Sequence, residues 1–388
     1  MFKSLKNRTP LGWLQLKHDK MKMLTALAGI AFADILMFMQ LGFKDALFTT
    51  NTQYPRLIDG DIVLLSTQAT NFNELYTFAR RRLYQSMDVP GVESAEAVYI
   101  GSLNWRNPQT KEKTSMMVIG FDPERPAFNL PEVNSQIDKV KIPDTVLFDR
   151  ASRGKYDEVI AKVEQGKTVT TESDRNTVTI GGLFEVGASF ADDGALITSD
   201  YNFLRLFPKK EQGTVSLGII NLEPEKDPVA VRQALNIYLP QDVEAYTHEE
   251  YIEKELTYIQ NRSPIGFVFT LGTTMGFIVG IVIVYQVLST DVNDHMAEYA
   301  TFKAMGYKNS YLLFVVLEEA LILSLAGFIP STVLAMGLYQ LTAAATALPI
   351  IMPVTRAVTV LTLTIAMCGI SGAIATRKLQ SADPADIF

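Results

Sequence analysis

Pro264-Ile-Gly-Phe-Val-Phe-Thr-Leu-Gly-Thr-Thr-Met-Gly-Phe-Ile-Val-Gly-Ile-Val-Ile-Val-Tyr-Gln-Val-Leu288 runs for 25 residues without a charge, long enough as a helix to cross a bilayer core of ~30 Å. Its glycines at 266, 272, 276 and 280 lie four or six apart. Gly272-Thr-Thr-Met-Gly276 and Gly276-Phe-Ile-Val-Gly280 form a small-xxx-small face that calls for a close helical neighbour. Three further apolar runs supply candidates: Met23 to Phe43, Tyr311 to Thr342 with Pro330 as a site of tilt or bending, and Val354 to Thr376. The first is 21 residues long, ~32 Å as helix. Some 220 mixed residues separate the first run from the second. The fold class read from this pattern is an α-helical membrane protein of four transmembrane helices, with a large α+β domain inserted between helices 1 and 2.

Across all 388 residues, 35 Lys and Arg face 42 Asp and Glu, a net charge of −7. No basic block suits a nucleic acid, and nucleic-acid binding is excluded as a function class. Lys3, Lys6, Arg8, Lys17, Lys20 and Lys22 precede the first run against a single acid, Asp19. That excess places residues 1–22 in the cytoplasm. Alternating from there, 23–43 is span 1, 44–263 is periplasmic, 264–288 is span 2 and 289–310 is a cytoplasmic coupling loop. Residues 311–342 are span 3, 343–353 a short periplasmic turn, 354–376 span 4 and 377–388 the cytoplasmic C-terminus. Both ends therefore lie inside an inner, plasma membrane. The basic start and Ala31-Phe32-Ala33 also fit a cleaved signal peptide, but the apolar run continues through Ile35-Leu-Met-Phe-Met39, which favours a retained helix.

Within 44–263, a segment carrying 24 basic and 33 acidic residues, Ile62–Leu65, Val92–Leu103, Ser115–Gly120, Val178–Val186, Thr214–Leu222 and Val243–Tyr246 read as strands. Asn73–Met87, Pro228–Tyr238 and Glu249–Arg262 read as helices, the last running on into span 2. The prolines at 123, 126, 131 and 143 suggest a linker over 123–150 between two lobes.

Catalytic chemistry is hard to build from this chain. Ala161-Lys-Val-Glu-Gln-Gly166-Lys167-Thr168 matches the loose form of a phosphate-binding loop, but a polar helical stretch precedes it and β-prone Val169-Thr-Thr171 follows, the wrong surroundings for a phosphate cradle. His18, His248 and His295 are far apart in the topology, so they form neither triad nor metal cluster. Cys368 stands alone in span 4, an apolar filler. No catalytic, cofactor-binding or metal residue is expected. Arg80-Arg81-Arg82 suits either a solvated helix face or anionic lipid.

Asp34, Glu318 and Glu319 fall inside spans, where a charge costs ~2.5 to 3.5 kcal/mol. Facing a bundle interior or a dimer seam is one reading and structural hydrogen bonding to a neighbouring helix the other. In the cytoplasmic loop, Val292, Met296, Ala300, Ala304 and Tyr307 mark one stripe of an amphipathic helix. Asp291 and Asp294 suit its start, Lys303 its end and Gly306 a C-cap. Such a stripe docks into a protein groove or lies on lipid.

One span, a large outer domain, then three spans with Glu298-Tyr-Ala-Thr-Phe-Lys303-Ala304-Met305-Gly306 in the loop resembles the FtsX-like, MacB-type permeases. Their loop carries Glu-Ile-Gly-x-x-Lys-Ala-Leu-Gly, matched here at Glu298, Lys303, Ala304 and Gly306. Tyr299, Ala300 and Met305 depart from it. Glu319-Ala320 and Asp383-Pro384-Ala385-Asp386 are similar to further family features. Leu27-Ala-Gly-Ile-Ala-Phe-Ala-Asp-Ile-Leu-Met-Phe-Met-Gln-Leu-Gly-Phe43, Gly182-Leu-Phe-Glu-Val-Gly-Ala-Ser-Phe190 and Asp193-Gly-Ala-Leu-Ile-Thr-Ser199 resemble the DevC-type permeases of cyanobacteria.

The resemblance implies a non-catalytic permease homodimer driven by a separate DevA-like ATPase, with a DevB-like periplasmic adaptor, a TolC-like outer-membrane duct and a lipid or glycolipid cargo. Val292, Met296, Glu298, Ala300, Lys303, Ala304 and Gly306 are then expected to receive the ATPase stroke. An FtsX-type regulator of a periplasmic cell-wall hydrolase, moving no cargo, is the alternative.

Overall fold

The computed structural model describes residues 20–173, 176–211 and 213–381, with side chains to 377. The basic residues before Lys20, His18 and the Asp-Pro-Ala-Asp ending lie outside the described residues. In chain order, helix α1 is Lys20–Leu57, followed by β1 Ile62–Ser66, β2 Phe78–Ala79, α2 Arg81–Ser86, β3 Val92–Arg106 and β4 Lys113–Phe121. Then come α3 Pro131–Asn134, a 3-10 turn Ile137–Lys141, β5 Thr145–Asp149, α4 Asp157–Glu164, β6 Val169–Ser173 and β7 Asn176–Phe184. Next are β8 Ala195–Ser199, α5 Asp200–Leu206, β9 Thr214–Val215, β10 Leu217–Leu222, α6 Pro228–Tyr238, β11 Val243–Thr247 and α7 His248–Asn261. The last four helices are α8 Pro264–Asp294, α9 Met296–Ala304, α10 Asn309–Thr346 and α11 Val354–Ser381.

Two compact units divide these elements: residues 46–266 with 343–349 form the large domain, and the remainder of the described chain forms the helical bundle. α1, α8, α10 and α11 are each long and apolar enough to cross a membrane.

In the large domain one nine-stranded sheet has the order β11-β1-β10-β3-β4-β8-β5-β7-β6. A further bridge, Trp105 to Ser173, joins β6 back to β3, so β3, β4, β8, β5, β7 and β6 close into a ring while β10, β1 and β11 extend from the first half of β3. Period-two alternation explains the two cores. Leu103, Trp105, Met116, Val118, Phe148 and Val178 pack on one face, and Val98, Met117, Ile119, Leu147 and Ile197 on the other. Trp105 stacks on Phe148 at 5.8 Å between ring centres. Gly120 is there because a Cβ would stand 2.5 Å from that of buried Phe203.

Several expectations need correction. Asn73–Met87 is not one helix: Asn71 Oδ1 takes the Asn73 N–H and turns the chain, β2 pairs with β9, and only Arg81–Ser86 is helical. Residues 123–150 do not link two lobes; they hold α3 and the fully buried strand β5, paired with β7 and β8 inside the sheet. β5 and β8 carry no alternation in the sequence because both are buried throughout, as strands covered on both faces are. α7 does not run into the second apolar helix. It stops at Asn261, because Ser263 precedes Pro264 and a residue before proline is pushed out of the helical region. The apolar helices also exceed their runs; α1 continues to Leu57 through the polar residues after Phe43.

The open edge of the sheet is closed by two side chains and a backbone carbonyl. Along β11 the outward N–H groups are those of Val243, Ala245 and Thr247, and they donate to Pro240 O, Asn236 Oδ1 at 2.7 Å and Glu250 Oε2 at 2.9 Å. Asn236 Nδ2 also donates to Ala245 O at 2.9 Å, so one amide side chain imitates a neighbouring strand. Asn236→Ala strips both bonds and is expected to cost about 1 to 2 kcal/mol and to promote self-association, read by denaturation and light scattering of the full chain in detergent.

Candidate functional site

The bundle is organised around α1. Its neighbour α8 supplies the glycine face: Gly276 lies over Leu36 and Met37, and at Gly272 and Gly280 a Cβ would strike Gln40 and Met367. Gly327 of α10 packs on Ile30 in the same way. Ser371 Oγ of α11 donates to Ile281 O of α8 at 2.8 Å. The small-residue face is thus used within the chain.

Asp34 is completely buried. Its Oδ2 accepts from Ser331 of α10 at 3.0 Å, and its Oδ1 from Thr364 of α11 at 2.6 Å. One carboxylate therefore clamps three helices at the middle of α1. Glu319 is 1% exposed, and its carboxyl faces that of Asp291. His295 Nδ1 is 3.0 Å from Asp291 O, and Lys22 of α1 pairs with Asp294. Glu318 is half-buried and belongs to neither contact.

The amphipathic stripe of the connecting segment lies differently from its sequence reading. α8 extends to Asp294 and the helix restarts at Met296, so Val292 belongs to the preceding helix. Val292, Tyr299, Leu312 and Val316 form a small core with Met296, Phe302 and Tyr311 at its edge, and Ala300 is buried too. The apolar side of α9 packs on the start of α10. What it exposes is the other side: Ala297, Glu298, Thr301, Ala304 and Met305, ending at Gly306, whose φ of 90° is the left-handed C-cap conformation glycine suits. Lys303 is half-buried. The seven residues expected to act together are split, with Glu298, Ala304 and Gly306 outward and Val292, Met296 and Ala300 inward.

The other motifs resolve into structure. Residues 157–169 are helix, turn and strand, the reverse of the strand, loop and helix of a phosphate cradle. Arg82 is not solvated; its guanidinium grips Asp242 through Nε at 3.0 Å and Nη2 at 3.0 Å, while Arg81 is exposed. His248 Nε2 lies 2.8 Å from Pro55 O and ties α7 to the end of α1. Among the described residues no three metal-type ligands cluster.

Two features of the large domain escaped sequence reading. The first is built by Gly182–Phe190 and Asp193–Ser199. Buried Asp149 accepts N–H bonds from Ala151, Val186 and Gly187, which oppose the upward push of burial on its pKa. Asp192 accepts from Ser115 and Ser102. Around this turn Arg153 donates to Asp193 Oδ1 at 2.7 Å, Ser189 O at 2.9 Å and Thr346 O at 2.6 Å. Gly194 is required because a Cβ would collide with Ser152 Oγ. The glycines and acids announce a turn, but nothing local points to an arginine forty residues upstream. The second is Glu255 of α7, 1% exposed. Burial pushes its carboxyl up from 4.5 to about 7, against the backbone of Phe72, the charge of Lys254 and the hydroxyl of Tyr251.

Residues 270–384, which take in most of α8 to α11, match the family model for the FtsX-like permease C-terminal region. No curated protein matches the chain. Among solved structures, the periplasmic region of MacB from Actinobacillus actinomycetemcomitans is similar at 8% identity and a TM-score of 0.34, over 56% of this chain and 99% of that one. The extracellular domain of the noncanonic ABC-type transporter YknZ from Gram-positive bacteria is similar at 13% identity and a TM-score of 0.30, over 48% and 98%.

Two measurements check this geometry. A double-mutant cycle of Asp34→Asn and Thr364→Val, read by unfolding in mixed detergents, is expected to return a coupling of about 1 kcal/mol; zero coupling would contradict the clamp. Glu255 holds its proton longer folded than unfolded, so stability is full below pH ~4.5 and falls as pH rises towards 7, by up to about 3 kcal/mol. Glu255→Gln is expected to flatten that slope, measured as Tm against pH.

Proposed function

We propose that the chain is the membrane subunit of an ABC exporter, a permease of the FtsX-like, MacB type that hydrolyses no ATP itself and works as a homodimer with a separate ATPase. The observation that carries this reading is the match over 270–384, joined to a short helix, α9, that presents Glu298, Thr301, Ala304 and Met305 outward while its apolar side is occupied. A small exposed face on a firmly packed helix suits the receipt of a push from a partner domain. Docking then runs through Glu298, Ala304 and Gly306 with Lys303 beside them, and Val292, Met296 and Ala300 fasten α9 to the bundle so that the push is not absorbed. In this reading residues 1–22, the α9 segment and 377–388 face the cytoplasm of an inner membrane, and the large domain is periplasmic. The finer resemblance extends it to a DevC-type exporter of lipid or glycolipid, with a DevA-like ATPase, a DevB-like adaptor and a TolC-like duct.

Purification of the tagged chain from its host in mild detergent, with mass spectrometry and an ATPase assay of the eluate, is expected to recover an ATPase and an adaptor. A cell-wall hydrolase in place of the adaptor would favour a regulator that moves no cargo, and no ATPase at all would overturn the reading. Glu298→Lys is expected to lower ATPase recovery about tenfold, a loss of ~1.4 kcal/mol, with Ala297→Ser on the same exposed turn as a near-neutral control.

A further inference from the structure

A groove runs along α7 inside the large domain, beside the edge strand β11. Its volume is about 570 Å³, within the ~300 to 1,000 Å³ of small-molecule sites. α7 contributes its side from Glu250 to Arg262, ~18 Å of helix at ~1.5 Å per residue. Opposite stand Glu244 and Tyr246 of β11 and the turn formed by residues 67–70.

An extended peptide binds beside a sheet by adding a strand, through the backbone donors of the edge. Here those donors are spent, because the N–H groups of Val243, Ala245 and Thr247 already go to Pro240 O, Asn236 Oδ1 and Glu250 Oε2. Strand addition is therefore closed off, and recognition falls to side chains. Charge does not select an ion either, since Glu244, Glu250 and Glu253 are balanced by Arg232, Lys254 and Arg262. Part of this set is committed: Arg232 pairs with Glu250 at 2.7 Å, Tyr246 donates to Glu244 at 2.5 Å, and Lys254 Nζ lies 4.5 Å from the centre of the Tyr246 ring.

The side chains of Gln68, Glu253, Thr257, Tyr258 and Arg262 also line the groove, and they make no hydrogen bond or ion pair among the described residues. An amide, a carboxylate, an alcohol, a phenol and a guanidinium together offer both donors and acceptors. A ligand that satisfies them must itself donate and accept at closely spaced points, without net charge. Alcohols do this one after another around a sugar ring, whose C–H face suits an aromatic surface. Half-buried Tyr258 provides that surface, with a polar tip beside it.

We propose that this groove is a saccharide-binding site for a short neutral oligosaccharide laid along α7. Tyr258 is the platform, Glu253 and Arg262 bind hydroxyls in pairs, and Gln68 meets them from the opposite turn. The site rests on the groove alone, and stands or falls apart from the exporter reading.

The test uses the full chain in phosphatidylcholine nanodiscs, because maltoside detergents carry a sugar of their own. Calorimetric titration with cellotriose, maltotriose and the trimer of N-acetylglucosamine is expected to show submillimolar binding of at least one. Tyr258→Ala and Glu253→Ala should each weaken that binding about tenfold, while Lys113→Ala, exposed on β4 and outside the groove, leaves it unchanged. Wild-type amide protection of β4 and β8 in hydrogen exchange shows that each variant is folded.

No binding of any of these sugars at ~10 mM, or an affinity unmoved by both groove substitutions, overturns the proposal. So does tighter binding of a tripeptide carrying one acid and one lysine, which would make the groove a peptide site. Glucosyl diacylglycerol added to the nanodiscs separates a lipid-borne sugar from a soluble glycan. The apparent trisaccharide affinity falls if the lipid headgroup fills the groove and is unchanged if it does not, and either result keeps the site.

Discussion

A carboxylate in hydrocarbon has no water to satisfy it, so the protein must bring the donors. Asp34 brings two, from different helices, and both hydroxyls keep a bond to their own backbone as well: Ser331 to Phe328 O and Thr364 to Val360 O. The helices can therefore form before they assemble, and Asp34 then selects one arrangement among those that dispersion alone would permit. The glycines of α8 need that selection, since close approach stabilises only when ridge and groove meet in one register. Arg356 on Asp45 repeats the arrangement farther along α1, and Lys22 on Asp294 does so near its start.

The short helix α9 shows how a packed position differs from an exposed one of the same composition. Its apolar stripe is real, and it faces α10. A stripe is a statement about burial and does not say who does the burying. An apolar surface already covered leaves a partner to read shape and charge, which moves attention to Glu298, Thr301 and Ala304. The break at His295 matters too. It separates α9 from α8, and the ring of His295 itself reaches back one turn, with Nδ1 3.0 Å from Asp291 O.

Much of this was legible beforehand because it rests on one-dimensional signals. Uncharged runs of 20 residues or more mark bilayer-length helices, and Pro228–Tyr238 reads as a helix, whose first turn the structure caps with the Asp227 side chain accepting from Val229 N. Strands with one wet face, such as β3 and β11, show alternation. What stayed hidden was of two kinds. β5 and β8 are buried on both faces and carry no period, and prolines nearby made β5 look like a linker. Arg153 acts through partners at least 36 residues away, Asn236 through the backbone of the strand that follows its helix, and Glu255 through burial, none of which leaves a local trace. The three arginines at 80–82 illustrate the limit, for identical side chains in a row have different surroundings once Arg82 turns inward to Asp242.

Confinement to a membrane gives the imitation strand at Asn236 a further importance. Neighbouring copies held in one plane meet far more often than free proteins. An open strand edge would then meet its own kind repeatedly, and edge-to-edge pairing is the step from which linear polymers grow. A single amide folded back onto Ala245 removes the template, so crowding in the plane brings collisions without strand exchange.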